Sequence, residues 1–376
     1  MPADLIFDAH LDLACLAVRG RDMTTSVERD AAPWPPASVS LPALAAGGVR
    51  FALATIFTEP VAADAATVGP EQYRSGDTEG AHRRGRAQLE VYLTWRDRGL
   101  LAIDLPACLR ADASVGEFRG GMGAARPIPF PLEKRIARLG PSPPLHIGLL
   151  MEGADPVREP SELSWWHERG VGTIGLTWAR SSRYAGGNAA PDGLTDAGRQ
   201  LVREIDRLNM THDVSHLSDR SFAELIERSE FPGGVVASHS NCRALLGDHA
   251  NQRHLSDAQI RHVVARDGVI GLNLYSKFLV PASRPANGDD GEPVRATIAE
   301  CLAHVDHICS LAGDTRHVGL GSDMDGGFGA DQLPDVIDGP GDLARLSEGL
   351  SERGWSDGDV ANFAWRNWAR FYARES

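Results

Sequence analysis

Five short apolar segments of this chain end in side chains able to hold a cation or carry a proton. The first closes on His10-Leu11-Asp12, the second on Glu152 and the third on Asp213-Val214-Ser215-His216. A fourth closes on Ser238-His239-Ser240 and a fifth on Ser322-Asp323-Met324-Asp325. Imidazole nitrogen and carboxylate oxygen are the donors that a borderline ion such as Zn2+ takes up, with a position left open for chemistry. Gathered at one place, these groups are enough for two ions bridged by one carboxylate. Taken singly they carry little weight, because a strand-end histidine is commonly a hydrogen-bonded structural residue. Their force depends on a fold that brings the five ends together. By contrast, His82, His167, His249, His262, His304 and His307 lie in helical or loop stretches and read as surface or packing residues. His212, one turn of the pleat deeper than His216, reads as a buried layer residue.

The elements that must position these groups are visible as alternation. Strand-like runs cover Leu5–His10, Val49–Phe57, Leu145–Glu152, Thr173–Trp178, Met210–His216, Gly234–His239, Val269–Leu274 and His317–Asp323. Amphipathic stretches such as Gly80–Arg98, Leu194–Leu208, Asp219–Ser229, Ser256–Ala265 and Thr297–Ala312 follow most of them. Eight β runs separated by helices predict a (β/α)8 TIM barrel, whose active sites sit at the C-terminal strand ends. There His10 and Asp12, two apart on one strand, face the same way. An open doubly wound sheet would carry a Gly-rich phosphate loop after its first strand, where this chain has His-Leu-Asp-Leu. The Gly-, Pro- and Arg-rich residues 111–144 read as an insertion between strands 2 and 3, and Pro281–Pro293 as a loop after strand 7. The C-terminal segment Trp355–Tyr372 places Phe363, Trp365, Trp368 and Phe371 at near-helical spacing, for packing on the barrel or on a partner subunit. Residues 1–376 are read as a single barrel domain.

Composition narrows the functions. With 51 acidic against 38 basic residues the formal net charge is −13, which repels phosphate backbones and anionic membranes. Hydrophobic residues at 42% and charged residues at 24% exclude disorder as a description of the whole chain. Five scattered cysteines, Cys15, Cys108, Cys242, Cys301 and Cys309, show no CxxC pair, so neither a zinc ribbon nor a thioredoxin-like site is indicated. No apolar run reaches the ~20 residues of a spanning helix. The expectation is a cytoplasmic protein without signal peptide or lipid anchor. The only lysines are Lys134 and Lys277, so a carboxylated lysine bridging two metals after strand 4 is a poor match and Glu152 is the placed bridging candidate. A Schiff-base aldolase is disfavoured for the same reason.

Read together, Asp8-Ala9-His10-Leu11-Asp12-Leu13, Met151-Glu152-Gly153-Ala154, Asp213-Val214-Ser215-His216, Ser238-His239-Ser240 and Gly321-Ser322-Asp323-Met324-Asp325-Gly326 resemble the renal (membrane) dipeptidase family, a branch of the metal-dependent amidohydrolase barrels. The likeness runs in the same order along nearly the whole chain and includes Leu194–Arg199 and Asn367–Arg370. It implies that His10 and Asp12 bind one zinc, that His216 and His239 bind the other, and that Glu152 bridges the two. It further implies that Asp323 shuttles a proton, that Arg253 takes the substrate's terminal carboxylate, and that Tyr275 is a further substrate contact. In one place the chain departs from the family: Gly175-Leu176-Thr177-Trp178 has tryptophan where a histidine ordinarily contacts the reacting carbonyl oxygen. The indole N–H of Trp178 can donate one hydrogen bond but can neither accept a proton nor ligate zinc.

The activity implied is zinc-dependent dipeptide hydrolysis, Xaa–D-amino acid dipeptides included, by water activated between two metals with Asp323 as general acid/base. Trp178 opens a second reading, an amidohydrolase of N-acyl amino acids or related amides. A silent barrel scaffold is a reading of another class, which the presence of Asp323 disfavours. A barrel glycosidase using Glu152 and Asp323 leaves three strand-end histidines without a role. The expected partners are a small dipeptide substrate and, from the aromatic C-terminal segment, a second copy in a homodimer.

Overall fold

The computed structural model describes residues 5–110, 145–285 and 293–374. Eight strands, β1 (Ile6–Leu11), β2 (Val49–Phe57), β3 (Leu145–Glu152), β4 (Val171–Gly175), β5 (Thr211–Asp213), β6 (Val235–Val236), β7 (Ile270–Leu272) and β8 (Val318–Leu320), pair side by side in parallel. β1 lies between β8 and β2, and the order then runs β3, β4, β5, β6. The seam between β6 and β7 is closed by a bridge from Ala237 to Ile270, where the Ala237 N–H donates to the Val269 carbonyl at 3.0 Å and the Gly271 N–H to the Ala237 carbonyl at 2.8 Å. This closure tolerates no side chain. A Cβ on Gly271 or Gly321 would stand 1.9 or 1.8 Å from the Ser238 carbonyl oxygen. The result is the expected (β/α)8 barrel.

The helices start where the sequence offers caps. Asp77, Thr195, Ser218, Ser256 and Thr297 each accept the backbone N–H three residues on, opening Thr78–Asp97, Asp196–Arg207, Asp219–Arg228, Asp257–Val264 and Ile298–Ala312. Ser256 with Gln259 and Thr297 with Glu300 form full capping boxes. The apolar faces of these helices bury against the outer strand residues, among them Ala52, Ile147, Leu149, Val235 and Leu272.

A second buried cluster joins Phe7, Phe51, Leu53 and Leu150 of the neighbouring strands β1, β2 and β3 to Val236 of β6, which meets them by facing the lumen. Trp365, Trp368, Ala369 and Phe371 complete it. The C-terminal segment crosses the N-terminal mouth of the barrel as a floor. Asn367 Nδ2 donates to the Val318 carbonyl at 2.8 Å, Trp368 Nε1 donates to the Leu320 carbonyl at 2.9 Å, and the Tyr372 and Thr173 hydroxyls meet at 3.1 Å on the far side. Phe7 lies between, its ring 5.9 Å from Trp368 and 6.0 Å from Tyr372. The four aromatics that raised the expectation of a partner subunit are thus buried within the chain.

β2 and β3 keep the limits read from the sequence, but β4 to β8 stop two or three residues earlier. Asp213 shows the reason: its Oδ1 accepts the N–H groups of Ser215 at 3.0 Å and Ser238 at 2.9 Å, so a carboxylate replaces the ladder where β5 and β6 end. The residues 111–144 expected as an insertion lie outside the described residues, as do 286–292 of the Pro281–Pro293 stretch.

The floor gives a stability prediction. Trp368→Ala empties a fully buried site and leaves the Leu320 carbonyl without its donor. It is expected to cost about 3–5 kcal/mol in urea unfolding, the usual range for a buried Trp or Phe truncated to Ala. A loss under about 1 kcal/mol would show that the segment does not hold the barrel.

Candidate metal centre and substrate cavity

The polar strand ends converge at the opposite mouth. β1 reaches it through a bulge: Asp8 is paired with Ala52 but Leu11 with Ala54, so β1 carries one extra residue between them. Simple alternation is therefore not what aligns His10 with Asp12, since Asp12 already lies past the strand, capping Leu13–Val18 with φ −82° and ψ 40°. Thr55 on β2 donates its hydroxyl to Asp12. His216 and Asp323 have left-handed backbones, φ +66° and +59°, which non-glycine residues seldom adopt and which recur at functional sites.

Glu152, ending β3, stands at the centre. Its Oε2 lies 3.4 Å from His10 Nε2, while its Oε1 lies 3.1 Å from His216 Nε2 and 3.3 Å from His239 Nε2. The carboxylate divides its oxygens between two sets of donors. Ligand atoms of His10, Asp12 and Glu152 lie within 4.8 Å of one another, as do those of Glu152, His216 and His239, and those of His10, His239 and Asp323. All six side chains are buried. His216 and His239 present Nε2 atoms 3.0 Å apart, and His10 Nε2 has no hydrogen-bond partner. Asn188 Oδ1 takes the Nδ1–H of His216 at 2.9 Å, and Ser238 Oγ lies 3.0 Å from His10 Nδ1 and 2.8 Å from His239 Nδ1. Facing lone pairs at that spacing repel unless they share a cation, so the donor set fits divalent ions.

The electrostatics agree. Burial alone would raise the Glu152 carboxyl, but His10, with hydrogen bonds from His216 and His239, holds it well below the usual range. Burial would lower His10, yet Glu152, Asp12 and Asp323 raise it to about 10. Burial together with Arg253 pushes His216 down to about 4. Burial raises Asp12 to about 6, aided by Glu152. Asp323 rises to about 8 through burial, with His10 opposing and the Asp12 and Glu152 carboxylates adding to the rise. Asn273 Nδ2 holds Asp323 Oδ2 at 2.8 Å.

A cavity of about 650 Å³ opens above these groups, of the size that accepts a small ligand. Phe57, Trp178, Tyr275, Phe278 and Phe328 form apolar wall around Glu152, His216, His239 and Asp323. Trp178 stands edge-on to Phe57 at 5.2 Å, and Tyr275 stacks on Phe328 at 4.6 Å. Arg253 is buried in the wall, donating to the His239 carbonyl at 2.9 Å and lying over the Phe278 ring at 5.1 Å. It makes no ion pair with any described residue, and its Nε has no partner. A buried guanidinium without a carboxylate is a place for an anion.

Asp325, two residues after Asp323, has a different role. It pairs with Arg21 and accepts the N–H groups of Ser38 and Val39, the latter at 2.8 Å, pinning the segment after β1 over the barrel. His212 is buried but turns to the outer layer, its Nε2 2.8 Å from Asp206 Oδ1. Asn188, Ser238 and Asn273, which hold the central groups, escaped the sequence reading. The only trace of them is the Ser-His-Ser run, because serine and asparagine are common in any loop.

Residues 143–375 match the family model described as membrane dipeptidase, peptidase family M19. Among curated relatives, the chain is 33% identical over 220 residues to an uncharacterized protein of Klebsiella pneumoniae from the pqqA 5′ region, covering 56% of this chain and 75% of that one. It is 31% identical over 234 residues to an uncharacterized dipeptidase of Schizosaccharomyces pombe, covering 60% of this chain and 53% of the other, so the match spans about half of that relative. In fold it is similar to a metallo peptidase of Rhodobacter sphaeroides solved with a phosphinate mimic of the dipeptide L-Ala-D-Ala, with TM-score 0.74, 23% identity and 99% of each chain covered. A dipeptidase of family M19 gives the same TM-score of 0.74 at 24% identity, covering 99% of this chain and 98% of the other.

The donor set predicts stabilisation by metal. Adding Zn2+ to chelator-treated protein is expected to raise the melting temperature, by the equivalent of about 2.7 kcal/mol when free ion stands at 100 times Kd. Glu152→Ala should abolish most of that gain, since both sets of donors lose their shared member. Equal gains in the two proteins would dismiss Glu152 as the centre.

Proposed function

Because the chain belongs to the membrane dipeptidase family (peptidase family M19), we propose that it is a zinc-dependent dipeptidase whose centre is built from His10, Asp12, Glu152, His216 and His239. The observation that carries this reading is the division of Glu152 between His10 on one oxygen and His216 with His239 on the other. Two Zn2+ ions held there would polarise the scissile carbonyl and make a water nucleophilic near neutral pH. The remaining steps fall to the chain's own side chains. Arg253 binds the substrate's free carboxylate through its planar fork. This orients the peptide bond toward Glu152 and limits the substrate to a short peptide, because a chain continuing past the carboxylate would lose the clamp. Asp323 takes a proton from water as the C–O bond forms and returns it to the amine as the C–N bond breaks. Buried beside His10 and His239, it stands where such a proton would be taken and returned. Asn273 keeps its Oδ2 in place through both states.

The stereochemistry proposed includes a D-residue at the carboxylate end, supported by the dipeptide mimic bound to the Rhodobacter sphaeroides protein. The wall made by Trp178 against Phe57 favours a second reading, hydrolysis of N-acyl amino acids. Such a substrate has the same carboxylate for Arg253, with an apolar acyl group in place of a charged amine. The two readings share metal and proton chemistry and separate on substrate alone.

The test is amino-acid release from a panel of L,L- and L,D-dipeptides and N-acyl amino acids by zinc-loaded protein. Dipeptide release that a chelator abolishes is expected. Asp323→Asn should keep its zinc and lose about 10²–10⁴ in rate. Arg253→Ala should lose roughly tenfold to hundredfold in kcat/KM, the worth of one charge-assisted hydrogen bond. Release confined to acylated amino acids would select the second reading, and protein carrying zinc with no release from either class would refute both.

A further inference from the structure

Ser238 holds two of the site's histidines at once. Its Oγ lies 2.8 Å from His239 Nδ1, 3.0 Å from His10 Nδ1 and 2.5 Å from Asp213 Oδ2. A hydroxyl has one proton and two acceptor sites. Asp213, as a carboxylate, can only accept, so the Ser238 proton is committed to it. Both imidazoles must then be the donors, each through Nδ1, which makes Nε2 the nitrogen available to a metal. Those Nε2 atoms face opposite oxygens of Glu152, at 3.4 Å for His10 and 3.3 Å for His239. We infer that Ser238, with its proton held by Asp213, is the positioning residue that fixes the tautomer and ring orientation of His10 and His239 together, and so couples the two halves of the metal centre. This rests on the metal-centre reading above.

The rest of the surroundings make Ser238 rigid. It is fully buried, its N–H donates to Asp213 Oδ1 at 2.9 Å, and its carbonyl is pressed against Gly271 and Gly321, where no Cβ fits. A shift of this residue would carry two histidines with it.

The fold contains its own control. On β1, Asp8 Oδ1 accepts the N–H groups of His10 at 3.3 Å and Ser322 at 2.8 Å, and the Ser322 hydroxyl donates to Asp8 Oδ2. This repeats the Asp213–Ser238 arrangement at the junction of β8 with β1. The difference lies in what Ser322 Oγ accepts, which is the Met324 N–H at 3.3 Å and no imidazole. Were the serine-to-aspartate bracket only a device for joining strand ends, removing either hydroxyl would have the same effect on zinc.

The experiment compares Ser238→Ala, Ser238→Thr and Ser322→Ala with the wild-type chain. Zinc affinity is measured by competition with a chromophoric chelator, with the melting temperature of the metal-free proteins recorded alongside. Ser238→Ala is expected to bind zinc 10–100-fold more weakly, the range for loss of a partner behind a metal-binding histidine. Ser322→Ala should stay within about threefold, and Ser238→Thr, which keeps the hydroxyl, should recover most of the affinity. Long-range 1H–15N spectra of the zinc-loaded proteins supply a second readout that does not depend on folding stability. The Nδ1–H signals of His10 and His239 should be protected in the wild type and lost to solvent exchange in Ser238→Ala, while that of His216, held by Asn188, persists. Equal weakening by Ser238→Ala and Ser322→Ala, or no weakening by Ser238→Ala, overturns the inference and leaves the metal centre standing. A wild-type chain that takes up no zinc overturns the metal-centre reading itself.

Discussion

Three carboxylates and three imidazoles share one buried mouth, and the upper half of the barrel is organised around keeping them there. A buried carboxylate is tolerated only when it is paired or well hydrogen-bonded. Glu152 has three imidazole nitrogens around it, Asp12 has the Thr55 hydroxyl, and Asp323 has the Asn273 amide. These carboxylates draw His10 toward its protonated form, and the buried guanidinium of Arg253 stands near them as well. A divalent ion would take the place of the His10 proton, and the two oxygens of Glu152 face separate sets of donors. The left-handed backbones at His216 and Asp323 are local strain accepted in the same cause.

Acidic residues only a few positions apart take unlike roles because their partners differ. Asp323 faces the cavity and keeps an elevated proton affinity, whereas Asp325 is tied to Arg21 and to the Ser38 and Val39 amides. Arg21 in turn donates to the carbonyls of Ala32, Pro33 and Val39, so one ion pair fixes a whole loop above β1. Asp8 and Asp213 form a third kind, ending strands by accepting N–H groups that the ladder would otherwise use. Within one mouth, therefore, the same type of side chain faces the cavity, anchors a loop or terminates a strand.

Much of this was legible in the amino-acid order. The alternation located all eight strands, with β2 and β3 at their observed limits, and the strand-end residues His10, Asp12, Glu152, His216, His239 and Asp323 do meet. Long apolar runs and uncommon polar residues at their ends are strong signals. Three features had no such signal. The extra residue in β1 depends on pairing with β2, which no single strand encodes. The early ends of β5 and β6 depend on a carboxylate reaching across to its neighbour. The supports Ser238, Asn188 and Asn273 belong to residue types too frequent in loops to be noticed. The aromatic spacing near the C-terminus indicated a packed helix but not its surface, which is the barrel's own floor.

That floor bears on how the molecule is made. Phe7 is synthesised long before Trp368, yet their rings stack, and β1 also pairs with β8. A nascent chain holds β1 without either β8 or the floor until both have emerged, and closing so long a loop is slow. His10 and Asp323 are drawn together by the same late event, through the backbone bond from Asp323 to His10. Partial products consequently expose an unsealed lumen and lack Asp323, although His10, Asp12, Glu152, His216 and His239 all precede it in the chain. Sealing the lumen and bringing Asp323 beside His10 thus become one late act of folding.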